Sequence, residues 1–272
     1  MHRPNPSAAP ICKVRLRYAK RGRLRFTSHR DVARTFERAL RRAGLPMAYS
    51  QGYSPHPKIS WVGAAPTGTA SEAEYAEIQL VAQVDPDVVC AELNAALPDG
   101  LAVIDGVLAG SGGLAERIEA SRWWIEISGV GAEQLRHAVS ALLAAPEVLV
   151  ERITTDGRRS IDARAAIVSL GVEEPPVLPP GPGRLPECGI LTAVVRQVSP
   201  AVRPDDVVSA LGVVAGLRPL APARATRMAQ GRLDDDGSLV DPLAPDRAPI
   251  RMAPGQAGDG APDQHGVAGH AS

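Results

Sequence analysis

The side chains best suited to acid–base chemistry lie in a segment that glycine and proline interrupt, residues 49–58. A loop of this composition exposes its side chains, so a tyrosine there can stack on a base while histidine and lysine contact phosphate or move protons. A further histidine occupies the first turn of a predicted helix, where backbone N–H groups favour anions. The candidates for catalysis are therefore His29, Tyr49, His56 and Lys58. The alternative is a rigid turn whose tyrosines pack into the core.

The charge of the chain is distributed unevenly, although its 30 basic and 30 acidic residues balance. Residues 1–60 hold 14 Lys and Arg against 2 acids, a net of +12, whereas residues 61–120 hold 1 against 10. A basic segment that also contains aromatic residues favours contacts with the phosphates and bases of nucleic acid. The alternative is that the two segments neutralise each other within one fold. The candidate RNA- or anion-binding residues are Arg15, Arg17, Arg23, Arg25, Arg30, Arg34, Arg38, Arg41 and Tyr53.

Local patterns assign these arginines to three elements. Residues 13–18 alternate between polar and apolar, which is typical of a half-buried strand with its arginines directed outward. Residues 23–26 alternate again, which predicts a hairpin with one basic face. Ser28 and Asp31 have the spacing of a capping box, which predicts a helix that continues to about Ala43. We expect the outer side of this helix to carry the remaining arginines.

Strand and helix patterns occur twice in the same order, and adjacent strand pairs recur without a helix between them. This order predicts an α+β protein with two tandem ferredoxin-like domains of the βαββαβ type, rather than parallel βαβ units. We expect these domains at 12–112 and 113–230, with a proline-rich loop at 175–186 in the second. The compositions of the two ends predict a flexible N-terminus at 1–11 and a disordered tail at 231–272.

The composition also argues against several classes of protein. The 272 residues suffice for one large domain or two small ones, and three widely separated cysteines argue against a disulfide framework or a CxxC-type metal site. We therefore predict neither a metal nor a cofactor. No apolar run approaches the ~18 residues of a membrane span, and the first residues show no apolar signal segment. We expect a cytoplasmic protein that does not contact a membrane.

Three motifs taken together are similar to the radical-SAM-linked family, an uncharacterised family also known by its DUF2344 domain. The motifs are RLRFTSHRD at 23–31, RALRRAGLP at 38–46 and YSQGYSPHPK at 49–58. The resemblance covers about residues 12–228, with weaker matches at 71–75, 162–164 and 203–206. The sequence departs from the family pattern at Arg30, where a leucine is usual.

The resemblance implies a partner rather than a reaction. In many members the domain follows a radical SAM enzyme in one polypeptide, and in others it stands alone. This chain resembles the stand-alone form, because it has no CxxxCxxC run to bind the iron–sulfur cluster. The implied role is to present a substrate beside a radical SAM enzyme supplied in trans.

Charge, motif and resemblance together predict a non-catalytic module that binds RNA or another polyanion. One alternative is a metal-independent enzyme that cleaves or modifies RNA with the four catalytic candidates, as the CRISPR repeat-processing endoribonucleases do on a similar fold. Another alternative is a protein-interaction scaffold, in which the acidic residues 61–120 dock a basic partner.

Overall fold

A computed structural model describes residues 8–154, 157–174 and 187–247 of the protein. In the N-terminal half the elements are β1 (Cys12–Lys20), α1 (His29–Arg42), β2 (Ile59–Val62), β3 (Ala70–Leu80), α2 (Pro86–Ala96) and β4 (Leu101–Leu108). The C-terminal half begins with β5 (Ala120–Ser128), α3 (Ala132–Ala144), β6 (Leu149–Thr154), β7 (Gly157–Asp162) and α4 (Ala163–Ala166). It continues with β8 (Ile167–Glu173), β9 (Cys188–Arg196), α5 (Pro204–Ala215), β10 (Arg224–Leu233) and β11 (Leu239–Val240).

One nine-stranded sheet runs through both halves. Its main path has the order β4-β1-β3-β10-β5-β9-β8, β2 pairs with β3, and β11 pairs with β10. All pairings are antiparallel except a short parallel contact that joins β3 to β10, in which Ala70 lies opposite Thr226 and Ser71 opposite Arg227. The large, mostly antiparallel sheet with helices against it confirms the α+β class.

Each half repeats one strand order. In the N-terminal half the order is β4-β1-β3-β2, and in the C-terminal half it is β10-β5-β9-β8. The fourth strand of each half thus lies beside the first, and the third lies between the first and the second. The hairpin of β6 and β7 forms a separate two-stranded sheet inserted into the second half.

Helix α1 forms where the capping pattern predicts it. The Ser28 hydroxyl accepts a hydrogen bond from the Asp31 amide at 3.2 Å and donates one to the Asp31 carboxylate at 2.7 Å. One face of the helix is buried against the core of the N-terminal half through Val32, Phe36 and Leu40. Because the apolar side chains take up this face, the arginines of the helix remain on the opposite, exposed face.

The predicted hairpin at residues 23–26 is wrong. Residues Gly22–Phe26 form a 3₁₀ helix, and β1 pairs instead with β3 on one side and β4 on the other. Both edges of β1 are therefore already hydrogen-bonded, so no edge remains for a local hairpin partner. Gly22 begins the turn with a φ of 56°, a left-handed conformation that glycine adopts at little cost.

The chain remains ordered beyond the point at which disorder was predicted. Residues 234–247, which we call the C-terminal strap, contain β11 and a 3₁₀ helix at Ala244–Asp246. Leu243 of the strap is fully buried in a cluster with Tyr75, Val107 and Leu114. Long-range packing and ion pairs hold the strap in place, and neither produces a local periodicity in the sequence. The predicted proline-rich loop at 175–186 and the residues after 247 lie outside the described residues.

Candidate nucleic-acid interface

Contrary to the prediction, the arginines of strand β1, Arg15 and Arg17, are not freely available to an external ligand. Arg15 is buried, and its Nε donates to the Glu77 carboxylate at 3.0 Å while its Nη1 donates to the Asp246 carboxylate at 2.7 Å. Arg17 is half-buried and donates from Nε to the Glu72 carbonyl at 2.8 Å. The expectation that Arg15 is directed outward to solvent is therefore wrong, because the C-terminal strap covers the face of β1 from which this side chain projects.

The arginines of α1 form an exposed positive surface, which we call the helix surface. Its members are Arg30, Arg34, Arg38 and Arg41, all of which are exposed. Two of them lie near carboxylates of the same helix, with Arg34 at 3.7 Å from Asp31 and Arg41 at 3.6 Å from Glu37. Such exposed ion pairs within a helix contribute little to stability. The helix surface keeps most of its positive charge, as the sequence predicts.

The four catalytic candidates do not form one catalytic group. The His29 ring meets the Trp61 ring edge-on, with centroids 5.5 Å apart. His56 instead places its Nδ1 3.0 Å from the Ser50 hydroxyl. Lys58 is half-buried, and no hydrogen bond among the described residues joins it to either histidine. Among the described residues, His29 and His56 thus have different neighbours, and the hydroxyl that lies within hydrogen-bond reach of His56 is that of Ser50.

The two tyrosines of the loop at 49–58 differ in environment. Tyr49 is half-buried against the core of the N-terminal half and forms an isolated β-bridge with Pro57. Tyr53 lies at the tip of the loop and is fully exposed. The prediction of an exposed loop therefore applies to Tyr53 and His56, whereas the alternative of a tyrosine packed on the core applies to Tyr49.

A concavity lies between the two halves, and we call it the inter-half cleft. Its volume is about 970 Å³, and its walls are the 3₁₀ helix Gly22–Phe26, the loop before β3, the start of α5 and the start of β10. It is lined by five arginines, which are Arg21, Arg23, Arg25, Arg203 and Arg224. Three acids line it as well, namely Glu72, Glu126 and Asp205. The cleft therefore has an excess of positive charge.

Arg25 connects the two halves at the floor of the cleft. Its Nε donates to the Gly68 carbonyl at 2.8 Å, and its Nη2 donates to the Ala225 carbonyl at 3.0 Å. Burial lowers the pKa of Arg25, the positive charge of Arg224 lowers it further, and the charge of Glu126 opposes this shift. Two positive charges held near each other in a partly buried site repel each other and attract an anion.

The remaining arginines of the cleft differ in how far carboxylates compensate them. Arg21 donates from Nε to Glu72 at 2.7 Å and is paired. Arg224 lies 3.8 Å from Glu126, and its side chain is largely exposed while that of Glu126 is half-buried, so this long pair is weak. Arg23 is exposed, and none of the described residues forms a hydrogen bond or ion pair with its side chain. Arg23 and Arg224 are therefore the cleft arginines that can contact a ligand at the least cost.

An aromatic ring lies beside these arginines. Phe26 is 69% exposed in the wall of the cleft, and the Arg25 guanidinium carbon lies 6.0 Å from its ring centroid. An exposed phenylalanine in a basic groove offers a flat apolar face on which a base can stack. Sequence reasoning missed Phe26, Arg203 and Arg224 as site residues, although 203–206 was one of the weaker motif matches.

Two further features of the described residues bear on the kind of site. No helix there is both long and apolar enough to cross a membrane. Nor do three or more His, Cys, Asp or Glu side chains of that part of the chain gather closely enough to hold a metal ion. The cleft is a basic and partly aromatic surface.

The fold and the cleft define an α+β protein with an arginine-rich groove between the two halves of its nine-stranded sheet. The comparison with protein families matches residues 13–204 to the family described as "Uncharacterized protein conserved in bacteria (DUF2344)". The chain belongs to the DUF2344 family. The comparison with curated proteins gave no match. The matched residues include both Gly22–Phe26 and Arg203, so walls of the cleft from both halves lie within the family domain.

Proposed function

We propose that this protein is a non-catalytic module that binds single-stranded RNA in the inter-half cleft. The observation that carries the proposal is the placement of five arginines and the exposed Phe26 around one cavity of about 970 Å³. Guanidinium groups bind phosphates through paired N–H donors, and aromatic faces stack on unpaired bases. The combination suits a strand whose bases are unpaired better than a duplex, whose bases are already stacked.

A non-catalytic role is proposed because the catalytic candidates are dispersed. His29 contacts Trp61, whereas His56 contacts Ser50, and a general base needs its reacting group within hydrogen-bond reach. The cleft is therefore assigned to binding and presentation of the strand.

A protein-interaction scaffold based on the acidic segment is less well supported. Glu77 pairs with Lys13 and Arg15, Glu72 pairs with Arg21, and Asp105 pairs with Arg247. These three carboxylates are occupied within the fold, whereas Asp85, Asp87 and Glu92 of the same segment are exposed. The helix surface and the cleft, by contrast, retain uncompensated arginines.

The partner in trans is proposed from the family resemblance. A radical SAM enzyme would act on the RNA that the cleft presents, and both would work in the cytoplasm, where three unpaired cysteines are stable. Purification of the tagged protein under anaerobic conditions, after nuclease treatment, tests this part. We expect a protein with an iron–sulfur cluster to copurify, and its absence would contradict the proposed partner.

We also infer that each half is a ferredoxin-like unit. The support is the strand order, fourth-first-third-second, that both halves share, with α1 and α2 between the strands of the first half and α3 and α5, besides the short α4, between those of the second. The cleft then lies where the two units meet along β3 and β10. A solved structure of a half with its helices on opposite faces of the sheet would contradict this inference.

Fluorescence anisotropy with a labelled single-stranded RNA of about 12 nucleotides tests the binding proposal. We expect the double variant Arg23→Ala/Arg224→Ala to bind about 10- to 100-fold more weakly, because phosphate contacts are lost. The matched control is Arg158→Ala/Arg159→Ala. It removes two exposed arginines of β7 that do not line the cleft. Equal weakening by both variants would mean unspecific attraction and would contradict the cleft as the site.

A further inference from the structure

A smaller pocket adjoins the inter-half cleft and is built differently. Its volume is about 260 Å³, and it shares Pro66, Arg203 and Pro204 with the lining of the cleft. Of the described residues that line it, three are arginines and none is acidic. The other arginines are Arg196 and Arg227. A recess with this lining attracts a compact anion.

Arg227 is the buried cation of this pocket. It is only 4% exposed, and its Cζ lies 5.4 Å from the centroid of the Trp123 ring. Its Nη1 donates to Gln230 Oε1 at 3.1 Å, and its Nη2 donates to the Gly63 carbonyl at 2.5 Å and to the Glu74 carboxylate. None of the described residues accepts a hydrogen bond from its buried Nε. The guanidinium therefore keeps unused donor capacity in the interior.

A second buried cation shares the same carboxylate. Lys20 is 3% exposed, and its Nζ has only long contacts, to the Pro66 carbonyl at 3.3 Å and the Ala65 carbonyl at 3.4 Å. Burial lowers the pKa of Lys20, Glu74 opposes the shift, and the charges of Arg227 and Arg25 lower the pKa further. One carboxylate thus serves two buried cations, and the local charge is positive.

An uncompensated charge in a protein interior is costly unless a counter-ion or hydrogen bonds offset it. The wall that Arg227 shares with Arg196 and Arg203 is the place where an anion would offset it most directly. A phosphomonoester carries close to two negative charges at neutral pH and several acceptor oxygens, so it matches several arginines better than a carboxylate does.

We propose that this pocket binds the terminal phosphate of the RNA strand that lies in the inter-half cleft. The proposal rests on the proposed function, since the cleft supplies the strand and the pocket supplies its anchor. A recess of this volume admits the end of a strand, whereas an internal phosphate is flanked on both sides by nucleotides that the larger cleft accommodates. The protein would then distinguish RNA ends as well as phosphate backbones.

Binding of three RNAs of one sequence tests the proposal: one with a 5′-phosphate, one with a 3′-phosphate, and one with hydroxyl groups at both ends. We expect the wild-type protein to bind one of the phosphorylated strands about 10-fold more tightly than the hydroxyl strand. The preference should disappear in Arg227→Met and in Arg196→Ala, the second of which alters an exposed residue and leaves the core intact. Arg159→Ala should retain it.

The outcomes separate the two proposals. Equal affinity for all three strands, with binding still weakened by Arg23→Ala/Arg224→Ala, would overturn the phosphate anchor and leave the proposed function standing. Failure of every strand to bind would overturn the proposed function. The stability of the protein in inorganic phosphate is a further test. If phosphate stabilises the protein but the protein shows no preference between strand ends, the proposed terminal-phosphate site would also be overturned.

Discussion

The Asp246 carboxylate accepts a hydrogen bond from Arg15 at 2.7 Å, although 231 positions separate the two residues. The same carboxylate accepts hydrogen bonds from Arg117 at 2.7 Å and from the Gly110 amide at 3.0 Å. These contacts fasten the C-terminal strap onto the sheet of the N-terminal half. They also neutralise a strand arginine that would otherwise add to the positive surface.

Replacement of Asp246 by alanine should destabilise the protein by about 3 kcal/mol. The side chain is almost fully buried, and its removal takes the carboxylate from Arg117 and leaves Arg15 with Glu77 alone among the described carboxylates that pair with these two arginines. Urea-induced unfolding measures the free energy of unfolding. The control is Asp235→Ala in the exposed turn of the same strap, which should change it by less than about 0.5 kcal/mol. Equal effects of the two substitutions would contradict the importance of the buried ion pairs.

The strap should also make stability depend on acid. Burial on its own would raise the pKa of Asp246, but hydrogen bonds from Arg117, Arg15 and the Gly110 amide hold that pKa below its ordinary value. The pKa of Glu77 is likewise lowered, with burial opposed by hydrogen bonds from Lys13 and Arg15. A carboxyl group whose pKa is lower in the folded state contributes its full stability above the unfolded-state pKa of about 4.

This contribution is lost as the pH falls below about 4 and through the lower pKa of the folded state. We expect the free energy of unfolding, measured in urea at a series of pH values, to decrease over this range. In Asp246→Asn the decrease should be smaller, because the residue no longer titrates. A decrease of the same size in the wild type and this variant would show that other groups carry the acid dependence.

Phe26 should contribute to RNA binding without contributing to stability. Loss of a base stacked on an aromatic ring costs about 1–3 kcal/mol, so Phe26→Ala should weaken binding of single-stranded RNA by about 5- to 150-fold. Thermal unfolding should change little, because the side chain is 69% exposed. Tyr53→Ala removes another exposed ring and is the matched control. If Tyr53→Ala weakens RNA binding and Phe26→Ala does not, the binding site lies in the loop at 49–58 and not in the cleft.

Binding should weaken as salt concentration rises. For a single strand, the slope of log K against log salt concentration is about −0.7 for each phosphate contact. Loss of two contacts in Arg23→Ala/Arg224→Ala should therefore reduce the slope by about 1.4. The helix-surface variant Arg34→Ala/Arg38→Ala serves as the comparison. If it changes the slope as much while the cleft variant does not, the helix surface binds the strand.

The sequence predicted those features that local patterns determine. The helix start at Ser28 follows from a side-chain hydrogen bond over three residues. The α+β class follows from the succession of such elements. Alternation also placed Arg15 on the correct side of β1, since its neighbours Val14 and Leu16 face the core.

What the sequence could not predict depends on residues far apart in the chain. Alternation does not show what covers Arg15, because the covering strap lies more than 200 residues later. The cleft likewise combines Arg25 with Ala225 and Arg224, which meet only because β3 pairs with β10. The 3₁₀ helix at Gly22–Phe26 was misread because polar–apolar alternation occurs in short tight turns as well as in strands.

Ultraviolet crosslinking of the wild-type protein to single-stranded RNA, with mass spectrometry of the attached peptides, tests the site most directly. We predict crosslinks to the peptide that contains Phe26 and to residues 222–226, both of which line the inter-half cleft. Crosslinks confined to the loop at 49–58 or to α1, with none in the cleft, would contradict the account.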